Sequence, residues 1–137
     1  MYMMNINNNK KINLIIPLNG TGERFKKNGY ENPKPLIDIF NKKMIFWLLD
    51  NLDLSYVDKL IIPYNKLLKK YNFESILISR YPYINFIFKC LNDSTRGAAE
   101  TINICLQEID DKTLLKNFMV LDCDTFYYEN VIKMYND

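Results

Sequence analysis

The sequence predicts an α/β domain: a mostly parallel four-stranded sheet of order 3-2-1-4, covered by helices. Four short apolar runs rich in β-branched and aromatic residues alternate with longer segments of helical character. At 137 residues and 48% hydrophobic, the chain is long enough for one domain with a real core and too short for two of ordinary size. The first apolar run also empties into a glycine-containing loop, which is how parallel α/β sheets present their ligand-binding ends.

In chain order, residues 1–10 form an Asn-rich segment that reads as a flexible polar tail. It has no basic region followed by an apolar one, and no later apolar stretch approaches membrane-spanning length, so no membrane partner is expected and the expected compartment is cytoplasmic. Lys11–Leu18 (KINLIIPL) reads as a buried strand without helical spacing. A loop carries Gly20 and Gly22. Lys43–Leu54 (KMIFWLLDNLDL) has the length and apolar content of a helix packed on a sheet, and Asp58–Pro63 (DKLIIP) is a second strand. Tyr64–Arg80 reads as helix, with a break near Asn72, and the aromatic and branched run Tyr83–Lys89 (YINFIFK) as the third strand. Asn92–Thr95 offers helix-cap chemistry ahead of a helix over Ala98–Ile109, and Asn117–Cys123 (NFMVLDC) is the fourth strand.

Right-handed crossovers between such units give a Rossmann-like three-layer sandwich. In the order 3-2-1-4 the first and fourth strands are neighbours where the connections reverse direction, and ligands bind outside the carboxyl ends of strands there. The glycine loop leaves the first strand at that end and Asp124 leaves the fourth. Two segments about a hundred residues apart are thereby expected to converge.

Composition narrows the chemistry. Eighteen basic against sixteen acidic residues give a net charge of +2, too little for sequence-independent binding of a polyanion, and no interleaved basic-aromatic stripe exists. Nucleic acid is therefore not an expected partner. Trp47 and the other aromatics belong to the core or its rim. Cys90, Cys105 and Cys123 lack CxxC spacing and read as small buried hydrophobes. With no histidine, Ser-His-Asp and Cys-His nucleophiles and imidazole acid-base catalysis are excluded.

The glycine loop has the outline of a phosphate site. Paired glycines let the backbone turn with its amides exposed to an anion, and Arg24, Lys26, Lys27 and Lys34 place positive charge around the same point. A third glycine is missing where Phe25 stands, and no Gly-Lys-Ser/Thr occurs, so neither a dinucleotide fingerprint nor a P-loop is present. Lys34 lies between Pro33 and Pro35, which should hold it extended and aim its side chain. Asp122 and Asp124 are two apart, hence on one face of a strand, and magnesium commonly uses one or two carboxylates beside substrate phosphates. Asp122 serves equally well as a strand-end cap; Asp124 is the stronger metal candidate.

Together, Leu14–Ile39 (LIIPLNGTGERFKKNGYENPKPLIDI), Thr95–Ile102 (TRGAAETI) and Val120–Phe126 (VLDCDTF) resemble, in order, the signature, nucleotide-contacting segment and metal-binding strand end of the sugar-phosphate nucleotidyltransferases, or sugar-nucleotide pyrophosphorylases, especially capsule-type members. The resemblance implies a fold of the nucleotide-diphospho-sugar transferase type. It implies that 11–137 is one nucleotide-binding domain, the N-terminal portion of a longer catalytic domain. It also implies that an NTP and a sugar-1-phosphate are the partners and Mg²⁺ the cofactor. By the same resemblance Leu18, Asn19, Gly20, Thr21 and Gly22 line the nucleotide, Arg24 holds the triphosphate, and Lys34 neutralises phosphate at the reacting centre. Gly97 and Ala98 let the base approach, and Asp124 binds magnesium.

The chain departs from the pattern at Glu23, where Ser or Thr is usual, at Asn19, where a small Ala is usual, and at Asn41-Lys42-Lys43, which replaces a Gly-Lys-Pro turn. The apolar fourth strand is expected to leave an open edge, with a homo-oligomer such as a dimer, instability or a missing C-terminal half as the alternatives. Two other classes stand beside the leading one: a nucleotide-sugar-dependent glycosyltransferase, and a nucleotide-binding fragment without catalysis of its own.

Overall fold

Ile12, Leu14 and Ile16 alternate with Asn13 and Ile15, and all five are buried, so the first strand must be covered on both faces. The computed structural model describes residues 11–136; the polar tail expected over residues 1–10 lies outside the described residues. Its elements are β1 (Ile12–Ile15), α1 (Glu23–Lys27), β2 (Asp38–Ile39), β3 (Lys42–Lys43), α2 (Met44–Asp50), β4 (Val57–Asn65), α3 (Phe73–Arg80), β5 (Phe86–Leu91), α4 (Ala98–Leu106), α5 (Asp111–Leu114), β6 (Phe118–Val120) and α6 (Val131–Asn136).

The main sheet has the order β5-β4-β1-β6, with every pairing parallel. Counting only its own strands, this is the expected 3-2-1-4. Leu14, Leu60, Ile62 and Tyr64 face Leu48 and Leu49 of α2, Phe73 and Leu77 of α3, and Ile132 of α6. Ile15 and Ile61 face Cys105, Ile102 and Leu106 of α4, with Phe118 beside them. Helices therefore cover both sides of the sheet, which makes three layers. Among the described residues no helix is long and apolar enough to cross a membrane.

Several boundaries differ from the sequence reading. Tyr64 and Asn65, expected to open a helix, instead extend β4 and pair with Cys90 and Leu91 of β5. The helical segment that follows is broken as expected: a 3-10 stretch over Lys66–Tyr71 ends at Asn72, whose φ of 54° is left-handed, and α3 starts there. The expected helix over Lys43–Leu54 is shorter at both ends: Lys43 belongs to a hairpin, β2-β3, that the sequence did not announce, and the helix stops at Asp50, with Leu54 in a 3-10 turn that the Asp53 side chain caps. Its two-residue turn, Phe40-Asn41, takes φ values of 47° and 62°, as mirror-image hairpin turns require. Lys34 opens a 3-10 turn over Lys34–Leu36 and is not extended. The fourth strand ends at Val120, so Asp122 and Asp124 lie beyond it and are not strand neighbours on one face. The short helices α1, α5 and α6 were not anticipated. Cys105 and Cys123 are buried and Cys90 is half-buried, as small hydrophobes.

The hairpin is fastened to the helical layer through charge. Trp47 on the rim donates its Nε1–H to the Ile39 carbonyl at 2.8 Å, and the Lys42 ammonium lies 4.4 Å from the Trp47 ring centroid. Asp50, at the end of α2, accepts from Arg80 Nη2 at 2.5 Å and from the Tyr81 hydroxyl at 2.5 Å, and its ion pair with Lys42 is 2.6 Å long. Burial alone would raise this carboxyl, but the hydrogen bonds from Arg80, Lys42 and Tyr81 outweigh it and lower Asp50 from 3.8 to about 2. A carboxyl depressed on folding adds stability above its unfolded value and loses it as pH falls through the folded one. Asp50→Asn is accordingly expected to cost about 1 kcal/mol at neutral pH, after discounting for solvent screening, and to flatten the loss of stability between about pH 4 and pH 2. Chemical denaturation of both proteins across that range checks it.

Candidate functional site

Parallel pairing of β1 with β4 and β6 puts the carboxyl ends of all three on one side of the sheet. After β1 the chain continues along β4: Ile16 N–H donates to the Ile61 carbonyl at 3.0 Å and Leu18 N–H to the Pro63 carbonyl at 2.7 Å. It then lifts away at Gly20. Gly22 caps α1 with φ at 67°, a left-handed conformation that strains any residue with a β-carbon, and its carbonyl accepts from Phe25 N–H at 3.0 Å and Lys26 N–H at 3.1 Å. Phe25 and Tyr30 meet edge to face with ring centroids 5.6 Å apart, which folds the chain back toward Pro33-Lys34-Pro35. Buried Pro35 and Leu36 anchor that segment, and the Lys34 ammonium emerges 5.5 Å from the Phe25 ring centroid.

From the other side, Leu121 N–H donates to the Ile15 carbonyl at 3.0 Å and so prolongs the β1–β6 contact. Leu121 and Cys123 are buried while Asp122 and Asp124 are exposed, so the two carboxylates project from an anchored turn. Lys34 Nζ lies 2.5 Å from Asp124 Oδ2. The Pro-Lys-Pro segment and the turn after β6, ninety residues apart, meet at this contact, and the glycine loop lines the same cleft as Asp124.

They enclose a cleft of about 380 Å³, whose lining includes Leu18, Gly20, Thr21, Gly22, Glu23, Arg24, Lys34, Asp122, Cys123 and Asp124. The hydrogen bond from Lys34 holds the Asp124 carboxyl below the usual carboxylate range, with the Arg24 charge a smaller contribution. Asp124 is therefore an anion throughout the physiological range. Burial pushes the Cys123 thiol up to about 12, so it is a neutral part of the floor and no thiolate nucleophile.

Three residues named from sequence sit elsewhere. Gly97 and Ala98 begin α4 and do not line the cleft, and Asn19 is buried beneath the loop with its amide turned inward. Asn19 Nδ2 donates to the Asp93 carbonyl at 3.1 Å and to Thr95 Oγ1 at 3.2 Å, and its Oδ1 accepts from Asn65 Nδ2 at 3.2 Å. Sequence reasoning missed Asn65, Thr95 and Thr101 as members of this network; an Asn closing an apolar strand was the only available signal. A second, apolar groove lies beside Asp124, lined by Ile39, Phe40, Met44, Trp47 and Phe126 among others.

No protein-family model and no curated protein matches the sequence. Solved structures do match the fold. A nucleoside-diphosphate-sugar pyrophosphorylase from Vibrio cholerae RC9 superposes with a TM-score of 0.69 at 21% identity, over 86% of this chain and 51% of that one. HddC from Yersinia pseudotuberculosis, solved with GMP-PN, gives a TM-score of 0.68 at 23% identity, over 90% and 52%. The inositol-1-phosphate CTP transferase from T. maritima gives 0.68 at 11% identity, over 86% and 45%. The fold is thus of the nucleotide-diphospho-sugar transferase type, and the chain spans about half the length of the structures it matches.

Because the Lys34–Asp124 pair is 32% and 46% exposed at its two side chains, its removal should leave the fold intact. Lys34→Ala and Asp124→Asn are each expected to change stability by less than about 1 kcal/mol, read as nearly unchanged thermal midpoints.

Proposed function

We propose that this chain forms the nucleotide-binding half of a nucleotidyltransferase site that joins an NTP to a sugar-1-phosphate and releases pyrophosphate. The observation that carries the reading is the meeting of Lys34 and Asp124 at 2.5 Å at the mouth of the glycine loop. Its context agrees: the solved structures of like fold include a nucleoside-diphosphate-sugar pyrophosphorylase, an inositol-1-phosphate CTP transferase, and HddC in complex with GMP-PN.

The reaction asks little of acid-base chemistry. A sugar-phosphate oxygen is already an anion when it attacks the α-phosphate, so no general base is needed and a site without histidine is adequate. What the protein must supply is alignment of the attacking and leaving oxygens and compensation of charge. The backbone amides of the glycine loop face the phosphates, Arg24 offsets charge on the triphosphate, and Lys34 offsets charge at the reacting phosphorus.

The cleft also fits a divalent cation. Arg24 and Lys34 are outnumbered by Glu23, Asp122 and Asp124, so the lining is formally negative by one charge and repels a bare triphosphate. Among the described residues no group of three or more His, Cys, Asp or Glu could hold a metal by itself. A magnesium ion suits this set, since it takes few protein carboxylates and completes its shell with phosphate oxygens and water. Asp124 would hold it, with Asp122 nearby, and the ion would supply neutralisation of phosphate charge.

The test is equilibrium binding of a panel of NTPs with and without magnesium, followed by pyrophosphate release with sugar-1-phosphates. Asp124→Asn and Lys34→Ala are expected to lower magnesium-dependent pyrophosphate release by about a hundredfold or more, and full retention in both would remove these roles. The half-length match favours a second reading, a nucleotide-binding unit that completes its site with further chain; it predicts magnesium-dependent NTP binding without pyrophosphate release. Release of a nucleoside diphosphate from a nucleotide-sugar would instead indicate a glycosyltransferase. Glu23→Ser, which removes one cleft carboxylate, should tighten NTP binding about threefold to tenfold at low salt, with the gain shrinking as ionic strength rises, measured by titration calorimetry.

A further inference from the structure

Phe40, at the tip of the β2-β3 hairpin, is 90% exposed, and its backbone is left-handed with φ at 47°. Mirror-image turns favour Asn, Asp or Gly here, so an aromatic residue carries strain at this point while burying almost nothing within its own chain. The hairpin around it is nonetheless fixed. Trp47 holds the Ile39 carbonyl by a hydrogen bond, and Lys42 lies over the Trp47 ring and pairs with Asp50. A strained aromatic side chain, held rigidly in solvent, is explained by a partner outside the chain.

Beside Phe40 lies the apolar groove of about 340 Å³, walled by Ile39, Met44, Trp47 and Phe126. A benzene ring fills an apolar cavity of roughly 150 Å³, so the groove has room for an aromatic side chain. Its far wall is aromatic too: Phe126 and Tyr128, 53% and 96% exposed, meet edge to face with ring centroids 5.6 Å apart. With Phe40 and Ile39 these rings leave on the order of 500 Å² of largely apolar surface open, about the apolar share of one side of a standard interface of roughly 800 Å² per partner.

A projecting ring and a groove that suits one, side by side on the same face, are what a two-fold interface needs, since each copy then offers its ring to the groove of the other. Charge does not oppose the approach. Asp38 and Lys43 pair across the hairpin at 3.4 Å, so the rim carries both signs, and the net charge of the chain is only +2.

We propose that this face is the interface of a homodimer in which Phe40 of each copy seats in the groove of the other. The occupant is a second copy because the chain itself carries both the ring and the groove that receives it. The inference stands apart from the nucleotidyltransferase reading, and it differs from association through the outer edge of β6, where Val120 is 46% exposed. It bears on the cleft all the same. Cys123 and Asp124 line both the cleft and the groove, so the second copy packs against the turn that carries Asp124.

The test is sedimentation velocity on the whole chain as a concentration series, for the wild type, Phe40→Asn, Phe126→Ser and Val120→Lys. The wild type is expected to dimerise with a dissociation constant on the order of 10 μM. Phe40→Asn, which puts a residue suited to left-handed backbone in the turn, should weaken the dimer about tenfold or more while the thermal midpoint of the dilute protein holds or rises. Phe126→Ser, in the groove wall, should weaken it likewise and keeps the test decisive where Phe40→Asn folds poorly. Val120→Lys should leave the dissociation constant within about twofold. A wild type that stays monomeric at about 100 μM overturns the proposal and leaves the groove to a different occupant. A dimer that survives both Phe40→Asn and Phe126→Ser, or that is lost in Val120→Lys and not in them, puts the interface elsewhere and overturns it as well.

Discussion

Parallel pairing of β1 on both of its edges is the constraint from which the site follows. β1 is four residues long and wholly buried, and β4 and β6 run alongside it in the same direction. Were β6 antiparallel, its carboxyl end would lie at the opposite side of the sheet and Asp124 would be a strand length away from Lys34. β6 itself has three residues, too few to find its place by propensity. Its entry is fixed from outside: Asn117's carbonyl accepts from Asn13 N–H at 2.9 Å, and Asn13 Nδ2 donates to the Thr113 carbonyl at the end of α5 at 2.9 Å. A polar side chain in the middle of an apolar strand thus anchors the segment that delivers the acidic turn.

What could be read from sequence divides along the same line. Strands buried on both faces appear as unbroken apolar runs, so their existence and order were legible from KINLIIPL, DKLIIP, YINFIFK and NFMVLDC. Their ends were not. Tyr64 and Asn65 look like a strand stop after Pro63, yet Tyr64 packs between Phe73 and Phe88, which holds the strand two residues longer. α1 has no buried residue and so leaves no apolar period to find. The β2-β3 turn puts Phe40, a poor left-handed residue, at φ 47°; the hairpin is held by the Trp47 bond to Ile39 and by Lys42, which are tertiary contacts with no local signature. The same distinction holds in the site. The convergence of the glycine loop with the turn that carries Asp124 was legible because parallel topology brings their segments together. The Asn19–Asn65–Thr95 relay spans sequence separations of 46 and 76 residues, and nothing in a single sequence marks such a pairing.

The charges of the cleft suit a ligand of mixed sign, as proposed above. A half-exposed ion pair contributes little to stability, so the Lys34–Asp124 contact is not what holds these turns. The turns are held from below, by buried Pro35 and Leu36 on one side and buried Leu121 and Cys123 on the other. The pair is therefore imposed by the fold, which sets an ammonium against a carboxylate in the wall of the cleft. A simple anion would favour Lys34 and repel Asp124, and a simple cation would do the reverse; either leaves one charge opposed. A phosphate chain carrying its own divalent cation satisfies both at once, giving the carboxylate a cation and the ammonium an oxyanion in exchange for each other. That exchange replaces one complementary contact with two, and it is the physical argument behind the proposal of a metal-chelated nucleotide at this cleft.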